Sequence, residues 1–256
     1  MSGGATGGEG LDRPLLAIEM SQRDGSVAFG VDATTIAVER FASGGSRDDD
    51  PLFPAIDRLL RSRSARPCDL GAIAVSVGPG GFTGLRIAVT AAKTMADALD
   101  IPVIAVPSAL VAADGAMQRD PQGGGWLVAL ASKRTTSWWT TVVAAGDALQ
   151  IVGEPAIREA SELVAAAPAD HPIRTMLADE FVHADALAVA RAAGWLIETP
   201  RFAAESCWRQ GRAMLRRGEF ADRVTLAPLY PREPEAVTLW RERHGDEGLP
   251  QSANAR

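Results

Sequence analysis

Apolar positions along the first half of the chain alternate between two rhythms. Pro14–Met20 ("PLLAIEM") and Gly25–Val31 ("GSVAFGV") are short apolar runs joined by the polar "SQRD", which predicts a strand pair. Thr34–Phe41 continues as the third strand of a meander, and Ala42–Asp50 ("ASGGSRDDD") is a polar, glycine-containing loop. The rhythm then turns helical. Leu52, Phe53, Ile56, Leu59 and Leu60 recur at helical spacing behind Pro51, with Asp48, Asp49 and Asp50 complementing the helix dipole. Leu70–Val77 ("LGAIAVSV") is almost wholly apolar, the mark of a strand covered on both faces. Leu85, Ala88, Val89, Ala92, Met95, Ala96 and Leu99 trace a second helical stripe, and Ile101–Ser108 is another buried strand. The order β-β-β-α-β-α-β predicts an α/β lobe over 13–108. It differs from a doubly wound dinucleotide fold, which would alternate from the start.

Beyond Pro107–Gly125, the expected lobe junction, the pattern is less regular. "GWLVALASKRTTSWWTTVVAAGDALQIVGEP" predicts two or three antiparallel strands. Trp138 and Trp139 fall on opposite faces there, one of them in the core. Helices are expected around "SELVAAAP", "FVHADALAVARAAG" and "RQGRAMLRRGEF". A second lobe over 109–226 and a partly disordered closing segment over 227–256 complete the organisation, and no short repeat stands out.

Composition narrows the function classes. The 256 residues suffice for one large domain or two lobes, and 46% apolar with 23% charged residues is ordinary for a soluble protein. A net charge of −6 gives no global field toward nucleic acid. The local cluster Arg209, Arg212, Arg216 and Arg217 reads as a solvated basic helix face, with an RNA or partner contact as the alternative. Met1–Gly10 is glycine-rich without the basic start and apolar stretch of a signal peptide, so 1–12 is expected as a disordered tail. No apolar run reaches the ~18 residues of a membrane span. Cys68 and Cys207 are distant and form no CxxC, consistent with a reducing, cytoplasmic setting.

The chemistry question concentrates in "VGPGGFTG": Gly78, Pro79, Gly80, Gly81, Phe82, Thr83 and Gly84, followed by Arg86. A Walker A loop needs Lys and Ser/Thr after its last glycine, but Leu85 and Arg86 stand there. The dinucleotide fingerprint fails too, because Thr83 takes the place of the third glycine. Two readings stay open: an anion cradle at a helix N-terminus capped by Thr83, or a tight turn whose glycines permit close packing. Other constellations are scarce. There is no GxSxG, HExxH or EF-hand loop, and His171, His183 and His244 form no i,i+4 pair, so no metal site is expected.

"AIAVSVGPGGFTGLRIAVTAAKTMADALDIPVIAVPS" closely resembles the signature region of the TsaB (YeaZ) family, usually written GPGSFTGLRIG before an Ala-rich helix. "LLAIEMSQRDGSVAF", "DDPLFPAIDRLL" and "LAPLYPREPEAVTLW" resemble that family's opening strands, first helix and closing segment, while about 110–220 is weakly similar. The resemblance implies a bilobal fold of the actin/hexokinase/Hsp70 (ASKHA) type. It implies a cytoplasmic, non-catalytic dimerisation and scaffold subunit of tRNA N6-threonylcarbamoyladenosine biosynthesis. The partners would be a TsaD-type catalytic subunit in a heterodimer and an ATPase subunit, with tRNA engaged through the complex. A homodimer through the same helices is an alternative. No intrinsic cofactor or metal is implied, although ATP or ADP can act in the complex; the catalytic paralogue's HxxxH pair is missing from this chain. The implied contact uses the two first-lobe helices, for which Leu52, Ile56, Leu60, Val89, Ala92, Lys93 and Ala96 are the expected positions.

Departures mark a divergent member. Glu19-Met20 replaces Asp-Thr, "RDDD" stands where HSE is usual, and Gly81 replaces Ser. Ala131, Thr136 and Trp138 replace the acidic and tyrosine positions of the second lobe. The competing function is an ASKHA-fold small-molecule kinase or ATPase, motivated by the glycine turn and weakened by a lone Glu19 where a magnesium site needs several carboxylates.

Overall fold

The computed structural model describes residues 12–42, 51–121, 124–146, 148–163, 173–232, 240 and 243. The expected tail at 1–12 (save residue 12), the aspartates at 48–50, His171 and His244 lie outside the described residues, as does most of the closing segment.

Three strands, β1 (Leu15–Glu19), β2 (Asp24–Gly30) and β3 (Ala37–Ala42), form the predicted meander. Strands β4 (Ala72–Gly78) and β5 (Val103–Pro107) extend it in parallel from β1, giving the order β3-β2-β1-β4-β5. Parallel neighbours need crossovers, and helices α1 (Leu52–Ser62) and α2 (Phe82–Leu99) supply them on one face. Leu16, Ile18, Ile73 and Val75 point to that face; Leu15, Ala17, Ala72 and Ala74 point to the other, so both sides of the sheet are dry. This explains the unbroken apolar run of β4.

Helix α3 (Ser108–Met117) lies in the segment expected as the lobe junction. Its sequence, "SALVAADGAM", is apolar nearly all round, so it carries little periodic signal, and burial follows from its place between the sheets. A second sheet then runs β6 (Gly125–Lys133), β7 (Thr136–Ala145), β8 (Ala148–Glu159), β9 (Thr175–Ala178) and β10 (Leu196–Glu198), ordered β10-β9-β6-β7-β8. Trp139 is buried and Trp138 half-buried, as the alternation requires. Most of the helix expected at "SELVAAAP" lies outside the described residues; its described start lies in a 3-10 turn at Ala160–Glu162. Helix α4 (Ala184–Ala192) precedes β10.

Helix α5 (Ala204–Arg216) lies within the expected second-lobe stretch, yet it packs on β1, β2, β4 and β5 of the first sheet. Trp208 Nε1 donates to the carbonyls of Leu15 and Gly30 at 3.1 and 3.2 Å, and the Ala204 N–H donates to Ser26 Oγ at 2.9 Å. Helices α3 and α5 lie side by side between the sheets. Asp114 of α3, wholly buried, accepts from Arg209 Nε (2.9 Å) and Nη2 (2.6 Å) and from Gln210 Nε2 (2.8 Å). Arg212 is buried as well and reaches the Arg13 carbonyl. Two of the four arginines read as a solvated face are therefore structural; Arg216 and Arg217 are exposed.

Candidate partner interface

Each glycine of the β4–α2 turn faces the protein's own backbone. A Cβ on Gly80 would collide with the Ser21 carbonyl, and one on Gly84 with the Met20 carbonyl. Gly78 has φ +108°, and a side chain there would meet the Leu229 carbonyl at 2.9 Å. Two hydrogen bonds fasten the turn: Gly81 N–H to Ser21 O and Leu229 N–H to Val77 O, both 2.7 Å. Of the two readings left open by the motif, the close-packed turn is the one these contacts describe. The α2 N-cap is Gly81 rather than Thr83, because Gly81 holds extended backbone and Thr83 already lies inside the helix. Pro79 is buried, and Phe82 and Arg86 project outward.

Glu19 ends β1 beneath this turn and is fully buried. Its Oε1 accepts the Ser21 N–H at 2.7 Å, Oε2 has no partner, and burial pushes its carboxyl above the usual range. Cys207, also buried, is pushed well up, first by burial and then by Glu19 and Asp114, so its thiol is unreactive. A sealed carboxyl cannot hold a metal–nucleotide in an open cleft. His183 is the N-cap of α4, its Nδ1 accepting the Asp185 N–H at 3.3 Å. Among the described residues no three His, Cys, Asp or Glu side chains cluster as metal ligands, and no helix is long and apolar enough to cross a membrane.

The expected contact positions divide. Leu52, Val89, Ala92 and Ala96 are sealed in the first-lobe core, where the alanines let α2 sit close to the sheet. Lys93 is held by the chain itself, its Nζ donating to the carbonyls of Val224 (3.1 Å) and Leu226 (3.0 Å). Arg223 adds bonds to Ala96 O and Asp100, so the segment after α5 straps one side of α2. Ile56 and Leu60 are buried but form the floor of an open groove. Its walls are Phe53, Asp57 and Arg61 of α1, Met95, Ala98 and Leu99 of α2, and the segment Ala65–Pro67; its volume is about 590 Å³. The free face of the helix pair is thus rotated away from the expected set. Phe53, 49% exposed, is the side chain that sequence reasoning misplaced. Its signal was an α1 apolar stripe wider than one sheet-facing side needs.

Comparison with known proteins follows this geometry. A family model described as "TsaD: tRNA N6-adenosine threonylcarbamoyltransferase" matches residues 49–194, more than half of the chain. The tRNA threonylcarbamoyladenosine biosynthesis protein TsaB of Bacillus subtilis is 40% identical over 94 residues, covering 37% of this chain and 41% of the relative. Its Escherichia coli counterpart is 29% identical over 106 residues, covering 41% and 45%. The matched stretch thus spans less than half the length of either curated relative. Among solved structures, YeaZ from Pseudomonas aeruginosa superposes with a TM-score of 0.69 at 20% identity, covering 85% of this chain and 99% of that one. A second Pseudomonas aeruginosa structure, of a protein with similarity to peptidase YEAZ, gives 0.70 at 20% identity, covering 86% and 100%. These neighbours show the bilobal ASKHA-like α/β fold.

Proposed function

The chain belongs to the TsaD-type family as a member of its TsaB (YeaZ) branch, and from that premise we propose that it is a non-catalytic partner subunit in tRNA N6-threonylcarbamoyladenosine biosynthesis. It docks a TsaD-type catalytic subunit, and an ATPase subunit and tRNA join through the assembly. Any ATP or ADP acts at the level of that complex. The α1–α2 groove carries this reading. It is apolar at its floor, open to solvent, flanked by Asp57, Arg61 and Arg66, and topped by an exposed phenylalanine that a chain working alone has no reason to keep. Burial of Glu19 under a self-packed turn supports a supporting rather than a phosphoryl-transferring role.

Phe53→Asp tests the reading. Phe53 contributes little to the core, so the variant should melt like the parent. Its association with the TsaD-type protein of the same organism, followed by sizing chromatography and calorimetry, should weaken at least about tenfold. Separate elution of the parent chain and the catalytic protein at micromolar concentration would overturn the partnership. Unchanged affinity in the variant would move the contact off this groove.

A further inference from the structure

At the other end of α2, about 13 Å along the helix from the groove's Met95, exposed Phe82 and Arg86 and half-buried Tyr230 form a cluster the interface does not use. The Arg86 guanidinium carbon lies over the Phe82 ring, 3.8 Å from its centroid, and Arg86 Nε donates to Tyr230 Oη at 3.2 Å. Phe82 and Tyr230 have ring centroids 5.2 Å apart, and Arg86 is 5.9 Å from the Tyr230 ring. Those three separations put Tyr230 at the rim of the phenylalanine, not on the face opposite the arginine. Phe82 is 52% exposed. Among the described residues Arg86 meets no carboxylate, so its two terminal nitrogens keep their N–H donors for another molecule. Most flexible surface arginines spend entropy when they bind; this one is already stacked and hydrogen-bonded in place.

Arginines stand on the segments next to the cluster. Exposed Arg23 sits on the β1–β2 turn that Gly80 touches, with Asp24 beside it. Arg232, two residues past Tyr230, spans to the second lobe through Thr136 O (3.1 Å), Thr136 Oγ1 (2.7 Å) and Ala131 O (3.3 Å), and exposed Arg134 stands on the same hairpin. A free aromatic face beside a fixed guanidinium matches an unstacked base and its phosphate, since every base offers a π-face and Arg pairs bidentately with phosphate oxygens. We propose that Phe82, Arg86 and Tyr230 form a contact site on this subunit for an unpaired RNA strand. The choice of RNA rests on the function proposed above, whereas the geometry asks only for a base with a phosphate next to it. An acidic protein segment would satisfy Arg86 but leave the aromatic face idle.

The test uses the full-length chain and a fluorescein-labelled, unstructured oligoribonucleotide of about 12 nucleotides, read by anisotropy at low and moderate salt. The parent should bind with salt-dependent affinity. Arg86→Ala and Phe82→Ala should each weaken it about tenfold, and Arg86→Lys, which keeps the charge but loses the fork, by less. Arg58→Ala, removing a cation on α1, should leave it unchanged. Undetectable binding by the parent, or equal losses in Arg58→Ala and Arg86→Ala, would overturn the proposal. So would Arg86→Ala that leaves RNA binding intact but lowers affinity for the catalytic partner, which would make the cluster a protein contact. Failure of the partnership itself is read separately: a parent that never associates with the TsaD-type protein yet loses RNA on Arg86→Ala overturns the partner role and keeps this site.

Discussion

The two sheets follow one path twice, and among the described residues the first carries more helix on its outer face. In the first, β2 and β3 hang antiparallel on one side of β1 while β4 and β5 add in parallel on the other; in the second, β7 and β8 flank β6 on one side and β9 and β10 on the other. After the fifth strand of each, a helix enters the space between the lobes, α3 and then α5. The outer cover differs. The first sheet carries α1 of 11 residues and α2 of 18, whereas α4, the corresponding crossover of the second, has nine. Between its two helices the first lobe leaves an apolar groove open at Phe53, Met95 and Leu99.

The difference can be broken at matching points. Ala92 in α2 and Ala190 in α4 are both fully buried against their sheets. Ala92→Glu places a charge under a long helix pinned by the turn and by the Lys93 strap, and should cost at least about 4 kcal/mol in urea unfolding. Ala190→Glu sits under a short helix with a half-exposed face that can shift outward, and should cost about half as much. Equal losses would mean that the second lobe's cover is as constrained as the first's. A smaller contrast uses glycine. Gly84→Ala drives a Cβ into the Met20 carbonyl and should cost about 2–3 kcal/mol. Gly194→Ala, at φ +77° with nothing within 4 Å, should cost about 1 kcal/mol from backbone strain alone.

Legibility followed the same divide. The central first-lobe elements read directly because their burial pattern is clear: β4 is buried at every position, and α1 repeats Leu52, Ile56, Leu59 and Leu60 on one face. The second lobe blurs. Strand β8 is half-exposed along most of its length, β10 has three residues, and β9 has only four. Helix α3 vanished into its own hydrophobicity. The repeated path is invisible in sequence because it is held by hydrogen-bond order, which many side chains satisfy. At the site, spacing located the two helices and the turn, the family resemblance marked the helices as the contact, and neither gave the outward direction. Ala92 and Ala96 look available on a helical wheel, and only the strap after α5 and the sheet beneath reveal that both sides are taken.

The central strands also end differently, and the smallest predicted effect lies there. Beyond Leu130, where β6 loses register with β7, the chain continues with Ala131 and Ser132; β1 ends in a buried carboxyl with one oxygen unpartnered. Burial raises the pKa of Glu19 above its ordinary 4.5, so the folded state favours the protonated form. The sign follows: its contribution to stability is fully present below 4.5 and is lost as pH rises through the folded value, because the unfolded chain then gains more by ionising. Glu19→Gln keeps the shape and the acceptor for the Ser21 N–H while removing the titration. Thermal unfolding should show parent and variant close together at about pH 4, with the variant ahead by about 2 °C at about pH 8. A gap that narrows as pH rises would mean that the fold favours the carboxylate, and that something beneath the glycine turn compensates its charge.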